Sequence, residues 1–427
     1  MHAGRMFLRP LLLSGLFVSL APAVCAAEKS HLDFQAEARA AYGNRDFAAA
    51  QAATVAALAL RPDSPRYLHN LAALQSLAGD AAGALSTLRR LAALGVAPPI
   101  ERDPDFAALQ GSPSFRTVSQ LFAANREPLG QADVVAELTG RAGILECIAF
   151  RERTGDTFLG DAHLRGIWRR DRTGKITRFS EEDEDLFGIF GLALDEPRRV
   201  LWAAMMAGPE MTGYTKEMKG QSGLAEFSLV TGELRRVIDL PDDNREHGLS
   251  DLTVAPDGTV YATDSRAPII WKLAPGAEAP EPVVEFPGFS SLQGILLHER
   301  TLIVSDFANG LFHVDLTTST VTPLAAPKDT TLLGLDGLVP APGGLVAIQN
   351  GVTPQRVLLI RLNPEHDRIT GVTVLARSLP HLDDLSLVTL VNGRPTVIAG
   401  AGWDLFDPQK AKAPPSHTVR LLQVALP

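Results

Sequence analysis

The chain has 427 residues, 45% of them hydrophobic and 21% charged, with 40 Lys and Arg against 49 Asp and Glu. This length predicts two or three domains, and the composition is that of a folded soluble protein. The balance is acidic and no basic cluster is large enough to track a phosphate backbone, which argues against nucleic acid as a partner.

Residues 1–26 have the layout of a cleaved signal peptide. Arg5 and Arg9 supply a positive start, an apolar stretch runs from Leu11 to Ala23, and Val24-Cys25-Ala26 places small residues at a cleavage position. The stretch is too short to span a bilayer comfortably, and Pro22-Ala23-Val24 is a poor lipobox before Cys25. No later run is long and apolar enough to cross a membrane. The expected location is periplasmic or secreted. Cleavage leaves Cys147 as the one cysteine, so no intrachain disulfide is expected and stability must come from the cores.

Residues 31–127 are predicted to form a helical domain. The stretch to about residue 95 is rich in Ala and Leu at helical spacing. Arg45-Asp46-Phe47-Ala48-Ala49-Ala50 returns as Gly79-Asp80-Ala81-Ala82-Gly83-Ala84 after 34 residues, the period of tetratricopeptide repeats. Small residues stand where paired helices approach: Ala38, Ala50, Ala57, Ala72 and Ala84. Pro62 closes the first repeat, and Leu91 departs from the small residue usual at its position. Further helix is expected from Pro104 and beyond Pro113, with Phe106, Leu109, Phe115, Val118 and Phe122 on apolar faces. Such a pair of tetratricopeptide-like hairpins could offer a groove to a protein partner or could cap the neighbouring domain, since two repeats are fewer than usually stand alone.

From residue 135 to residue 427, short β-rich runs alternate with Gly, Pro and Asp turns. A phrase of a polar or variable residue, a small or polar residue and an aliphatic recurs six times. The copies are Glu146-Cys147-Ile148, Phe190-Gly191-Leu192, Ser250-Asp251-Leu252, Gln293-Gly294-Ile295, Asp336-Gly337-Leu338 and Asp383-Asp384-Leu385. Most intervals are about 43 to 47 residues, the length of a four-stranded blade. The longer second interval predicts a loop near Met205 to Gly220. The fold class is therefore multidomain, α plus all-β: tetratricopeptide-like helices followed by a six-bladed β-propeller.

The run from Asp251 to Ser265, with Leu335-Asp336-Gly337-Leu338 and Ser305-Asp306-Phe307-Ala308-Asn309-Gly310-Leu311, resembles the propellers of the SMP-30/gluconolactonase/LRE-like superfamily. The resemblance implies a divalent cation, calcium in the family's usual manner, at the mouth of the central channel. Its ligands would be a Glu, an Asp and two Asn at the starts of innermost strands. Carried over by position, the ligand set is Glu146, Ser250, Gln293 and Asp336, with Ser250 and Gln293 standing where Asn is expected. Gln293 still offers a carbonyl oxygen, whereas Ser250 offers a hydroxyl, a weaker ligand for a hard cation. Strand alternation turns Asp251 away unless the strand start is irregular. The implied reaction is hydrolysis of a lactone or ester, with Asp336 as candidate general base.

His163, Arg165, His247 and Asp383 are further candidates to line the mouth and touch a small-molecule substrate. Asp242-Asp243-Asn244 is similar to the start of a calcium loop but lacks its spacing. No nucleophile elbow, phosphate loop, zinc helix motif or Cys-x-x-Cys is present. Two functional classes remain open: a metal-dependent hydrolase, and a binding module that holds a ligand or partner without turnover.

Overall fold

The computed structural model describes residues 29–407 and 414–427. The leader expected over residues 1–26, with Cys25, lies outside the described residues. Among the described residues no helix is long and apolar enough to cross a membrane.

Five helices come first: α1 (His31–Gly43), α2 (Phe47–Leu60), α3 (Pro65–Leu77), α4 (Ala81–Ala93) and α5 (Pro113–Arg126). The 34-residue repeat has a local physical cause. Arg45 and Gly79 both take left-handed backbone, at φ 59° and 82°, and reverse the chain between helices. Asp46 and Asp80 then cap the next helix, accepting from the Ala49 and Gly83 amides at 3.0 and 2.8 Å. Ala50, Ala57, Ala72 and Ala84 are fully buried, where only a methyl leaves room for the facing helix. Leu91 is buried as well. Asn125 of α5 donates to the Ala92 and Val96 carbonyls and so covers the end of α4.

The rest of the described chain forms a six-bladed β-propeller. Blades 1 to 5 begin with the inner strands Leu145–Arg151, Gly188–Asp195, Leu249–Val254, Leu292–His298 and Leu335–Ala341, and blade 6 with Val388–Val391. Successive antiparallel strands follow outward in each. The ring closes by a strand from its own beginning: Ala132–Arg141 forms the outer strand of blade 6 and pairs with His417–Val424. The propeller strands thus begin a few residues before the expected position 135. Leu129–Gly130 adds a fifth strand to blade 5. Apolar clusters fill the spaces between blades, as where Ile303 and Leu311 of blade 4 meet Leu335, Leu338 and Leu358 of blade 5.

The helices dock on the channel-mouth face. In each blade the start of the inner strand pairs with the end of the second, as Leu335 does with Gln349, so the loop after the second strand lies beside the mouth. In blade 5 that loop carries Val352, which is buried in the helical core with Leu68, Leu94 and Ile100. The Thr353 carbonyl accepts from the Ala97 amide at 2.5 Å. In blade 4, Asn309 Oδ1 accepts from His31 Nε2 and Arg61 Nε at 2.9 and 3.1 Å.

Replacing Asp80 by Ala removes one helix cap and lowers the stability of the helical unit by about 1 kcal/mol. Arg45→Gly relieves left-handed backbone at the position where the second repeat has Gly79, and raises it by about 1 kcal/mol. Urea unfolding followed by helical circular dichroism reads both shifts.

Candidate functional site

Each of the first five inner strands loses register with its neighbour at its start. In blade 1 Leu145 faces Asp161 while Cys147 faces Gly160, leaving Glu146 as an extra residue. Phe190 in blade 2 and Ser250 in blade 3 are extra in the same way. In blades 4 and 5 the breaks span Gln293-Gly294 and Asp336-Gly337. Such bulges re-aim side chains that simple alternation would send elsewhere. The phrase read from the sequence is this bulge.

Blade 6 corrects the reading. The residue equivalent to Glu146 is Ser386, three residues beyond Asp383: the Ser386 amide reaches the Ile398 carbonyl, and the Leu387 amide reaches the Glu146 carbonyl. Asp383 instead offers its carbonyl to the Gly400 amide, outside the ring position. The ring at the mouth is Glu146, Phe190, Ser250, Gln293, Asp336 and Ser386.

Glu146 and Asp336 are each 8% exposed. Glu146 Oε2 accepts from Ser386 Oγ at 2.6 Å and from Trp403 Nε1 at 2.5 Å. Asp336 Oδ2 accepts from Asn350 Nδ2 at 2.7 Å, and the same amide group donates to the Leu385 carbonyl at 3.0 Å. Burial raises the Glu146 carboxyl far above the ordinary carboxylate range, and the Asp336 charge raises it further. Burial also raises Asp336, against the opposing donation from Asn350. Asp251 lies below the ring and lines a channel cavity of about 230 Å³. The irregular strand start lets it face inward, and burial lifts its carboxyl to about 7. No Lys, Arg or His among the described residues pairs with any of these three acids.

The remaining ring members divide. Ser250 Oγ donates to the Leu292 carbonyl at 2.8 Å and so ties blade 3 to blade 4. Gln293 Nε2 donates to Ser291 Oγ at 3.1 Å, and its carbonyl oxygen accepts no hydrogen bond from the described residues. Phe190 packs against Trp403, ring centroids 6.2 Å apart, beside Met206 and Phe406. The mouth is therefore polar on blades 4, 5, 6 and 1 and aromatic on blade 2.

The other sequence candidates have structural partners. His163 Nδ1 donates to the Glu210 carbonyl, and Nε2 faces Thr212 Oγ1 at 3.2 Å, which anchors the loop after residue 206. Arg165 donates to the Leu186, Asp183 and Glu184 carbonyls and holds the acidic turn. His247 is buried between Asp264 and Asp243, at 2.7 and 3.0 Å. Cys147 is buried in the inner strand, its thiol pushed up by burial.

No group of three or more His, Cys, Asp and Glu among the described residues could by itself hold a metal ion. The oxygens at the mouth are of the mixed type that a hard divalent cation takes. Glu146 and Asp336 supply two carboxylates, and Gln293 a free amide oxygen. Asn350 Oδ1 is buried with no hydrogen-bond partner among the described residues, and its own amide nitrogen is already committed to Asp336. An orphaned acceptor next to an acid is satisfied by a cation or a water. Asn350, Ser386 and Trp403 were not singled out in the sequence. Asn350 follows the second strand of blade 5 and Trp403 begins a short turn after the second strand of blade 6, so neither falls within the repeated phrase.

No protein-family model matches the sequence, and no curated protein matches it. Solved structures similar to the chain include a gluconolactonase from Xanthomonas campestris, at 16% identity over 71% of this chain and 93% of that one, TM-score 0.47. The PQQ-bound aldose sugar dehydrogenase of Streptomyces coelicolor is similar at 15% identity over 70% and 100%, TM-score 0.47. The virginiamycin B lyase of Staphylococcus aureus is similar at 13% identity over 62% and 82%, TM-score 0.45. A propeller fold by itself assigns no reaction.

A carboxyl raised on folding keeps its proton in the native state where the unfolded chain has released it. Stability therefore falls as pH rises from the ordinary value, 4.5 for Glu146, toward the folded value. In chelator, wild-type protein is expected to lose on the order of 2 kcal/mol between about pH 5 and pH 8, and Glu146→Gln is expected to flatten much of that slope. Guanidinium unfolding at several pH values measures it.

Proposed function

We propose that this chain is an exported propeller protein that holds one divalent cation, calcium by the hardness of its oxygen donors, at the channel mouth, and hydrolyses a lactone or ester there. The observation that carries this reading is the buried pair Glu146 and Asp336, with no cationic side chain among the described residues against it and with the unsatisfied Asn350 Oδ1 next to Asp336. Two buried like charges raise each other's energy until a proton or a cation neutralises them. Export is supported by the layout of residues 1–26 in the sequence.

Glu146, Asp336, Asn350 and Gln293 would hold the ion. A bound cation supplies Lewis acidity, polarising a carbonyl oxygen and lowering the pKa of a nearby water. The chain's own residues do the rest. Ser386 and Trp403 fix Glu146, and the Asn350 amide turns Asp336 into the mouth. Asp336, which no Lys, Arg or His among the described residues engages, would accept a proton from the attacking water. Ser250, whose hydroxyl proton goes to the Leu292 carbonyl, would be the weakest ligand of the set, a hydroxyl oxygen.

A second reading is a binding module without turnover. The engaged Ser250 hydroxyl favours it, as does a groove of about 520 Å³ on the helices, lined by Gln35, Arg39, Tyr42, Arg66 and His69. The ligand would then be a small molecule on the propeller face or a protein partner on the helices.

Calorimetric titration of chelator-stripped protein with calcium is expected to show one ion per chain. Glu146→Gln and Asp336→Asn should each weaken binding at least about 10-fold. A lactone and ester panel followed by pH-stat then tests turnover. An Asp336→Ala variant with full turnover would remove its role as base, and absence of any bound ion would leave the second reading.

A further inference from the structure

We propose that the helical domain is a working part of the mouth: through Arg356 it fixes the blade 5 loop that carries Asn350 and Gln355, and thereby sets the positions of Asp336 and Glu146. This rests on the reading of the mouth as a cation site.

Blades 1, 3 and 4 secure the start of the inner strand in one way. The last residue of the second strand, Asp161, Asp264 or Asp306, sits opposite Leu145, Leu249 or Leu292. Its carboxylate accepts amides from its own blade, such as Ile144 and Leu164 for Asp161 or Gly248 and Ala267 for Asp264. These latches close within the blade.

Blade 5 departs from the pattern. Gln349 stands opposite Leu335 and donates to the Thr331 and Leu333 carbonyls at 2.9 and 2.7 Å. Its Oε1 accepts from Arg356 Nε at 2.6 Å. A carboxamide can donate to main chain and accept from a guanidinium at once, which a carboxylate cannot. Arg356 is 3% exposed and has no carboxylate partner among the described residues. Its remaining acceptors are the Leu94 and Gly95 carbonyls, at 3.2 and 3.1 Å, just past the end of α4. The negative pole of a helix C-terminus suits a cation there. A buried guanidinium without these carbonyls would be strongly unfavourable, so the conformation of this loop depends on the docked helices.

The loop between Gln349 and Arg356 faces both ways. Val352 and the Thr353 carbonyl are held by the helical domain. On the other side Asn350 donates to Asp336, and Gln355 Oε1 accepts from the Leu385 amide at 2.7 Å. Leu385 precedes Ser386, which donates to Glu146. Both carboxylates thus take their orientation from segments that this loop positions. Arg356 and Gln355 are positioning residues and touch no reacting atom.

The test uses the full chain and three variants. Gly95→Ala lies in the helical domain and places a methyl 2.9 Å from Arg356 Nη1. Arg356→Met removes the link. Arg61→Gln weakens docking at blade 4 alone. Two readouts are taken: calcium affinity by calorimetry, and amide hydrogen exchange of Leu385 and Leu387 in chelator. Gly95→Ala and Arg356→Met are expected to weaken calcium binding about 10-fold and to speed exchange at both amides. Arg61→Gln is expected to leave both readouts within about twofold. Wild-type exchange at Leu385 and Leu387 in folded Gly95→Ala overturns the proposal, and so does an equal change in all three variants. If Arg356→Met does not fold, Gly95→Ala decides. If wild type binds no calcium, the cation reading fails, and the exchange comparison alone supports or overturns the positioning.

Discussion

A propeller has to close its ring, and closure here rests on the antiparallel pairing of Ala132–Arg141 with His417–Val424. This pairing joins the beginning of the propeller to its end and covers the outer edge of the His417–Val424 strand. It also decides the chemistry of the mouth. Glu146 stands in blade 1, while two of its donors, Ser386 and Trp403, stand in blade 6. These groups meet only across the closure. Without it Glu146 would be a hydrated acid at a free strand start, with an ordinary pKa and no fixed direction.

Closure alone would give a symmetric funnel. The asymmetry comes from what each bulge presents. Blades 1 and 5 present acids and blade 4 an amide, whereas blade 2 presents Phe190 and blade 3 a serine turned to a neighbouring carbonyl. Negative charge is concentrated on one side of the axis, at Glu146 and Asp336, with Asp251 beneath. The aromatic side, with Phe190 and Trp403, excludes water from the same small volume. Low local dielectric makes each carboxylate's unneutralised charge more costly, and by the same argument makes the site more selective for a ligand that brings positive charge.

Features that a single chain segment determines could be read from the sequence. The helical repeat was legible because a left-handed residue followed by an Asp cap is a local device, as at Arg45-Asp46 and Gly79-Asp80. The inner strands of blades 1 to 5 were legible because each bulge carries its own small set of residue types. Blade 6 slipped by three residues because Asp383-Asp384-Leu385 imitates the phrase. There Asp384 uses its carboxylate on the Gly402 amide, and the real ring member is Ser386. Asn350 and Trp403 could not be read, since their partners Asp336 and Glu146 are distant in sequence and the pairing exists only in the folded ring. Six blades imply a closed ring, but which strand closes it was hidden, because a strand that completes a distant blade looks like any other strand.

The helical domain follows the same logic on a larger scale. Two helical hairpins and a fifth helix bury too little surface to be comfortable alone. Their core is completed by Val352, a residue of the propeller. Conversely, blade 5 has given up the self-contained latch of its neighbours for one that needs the end of α4. Each unit thus supplies a group the other cannot replace: an apolar side chain in one direction, a pair of carbonyls in the other. Such mutual completion couples the two units energetically, since separating them would expose Val352 and strand the Arg356 charge together. The mouth is then held by a scaffold larger than the propeller, which accounts for a helical unit standing on the same face as the buried acids.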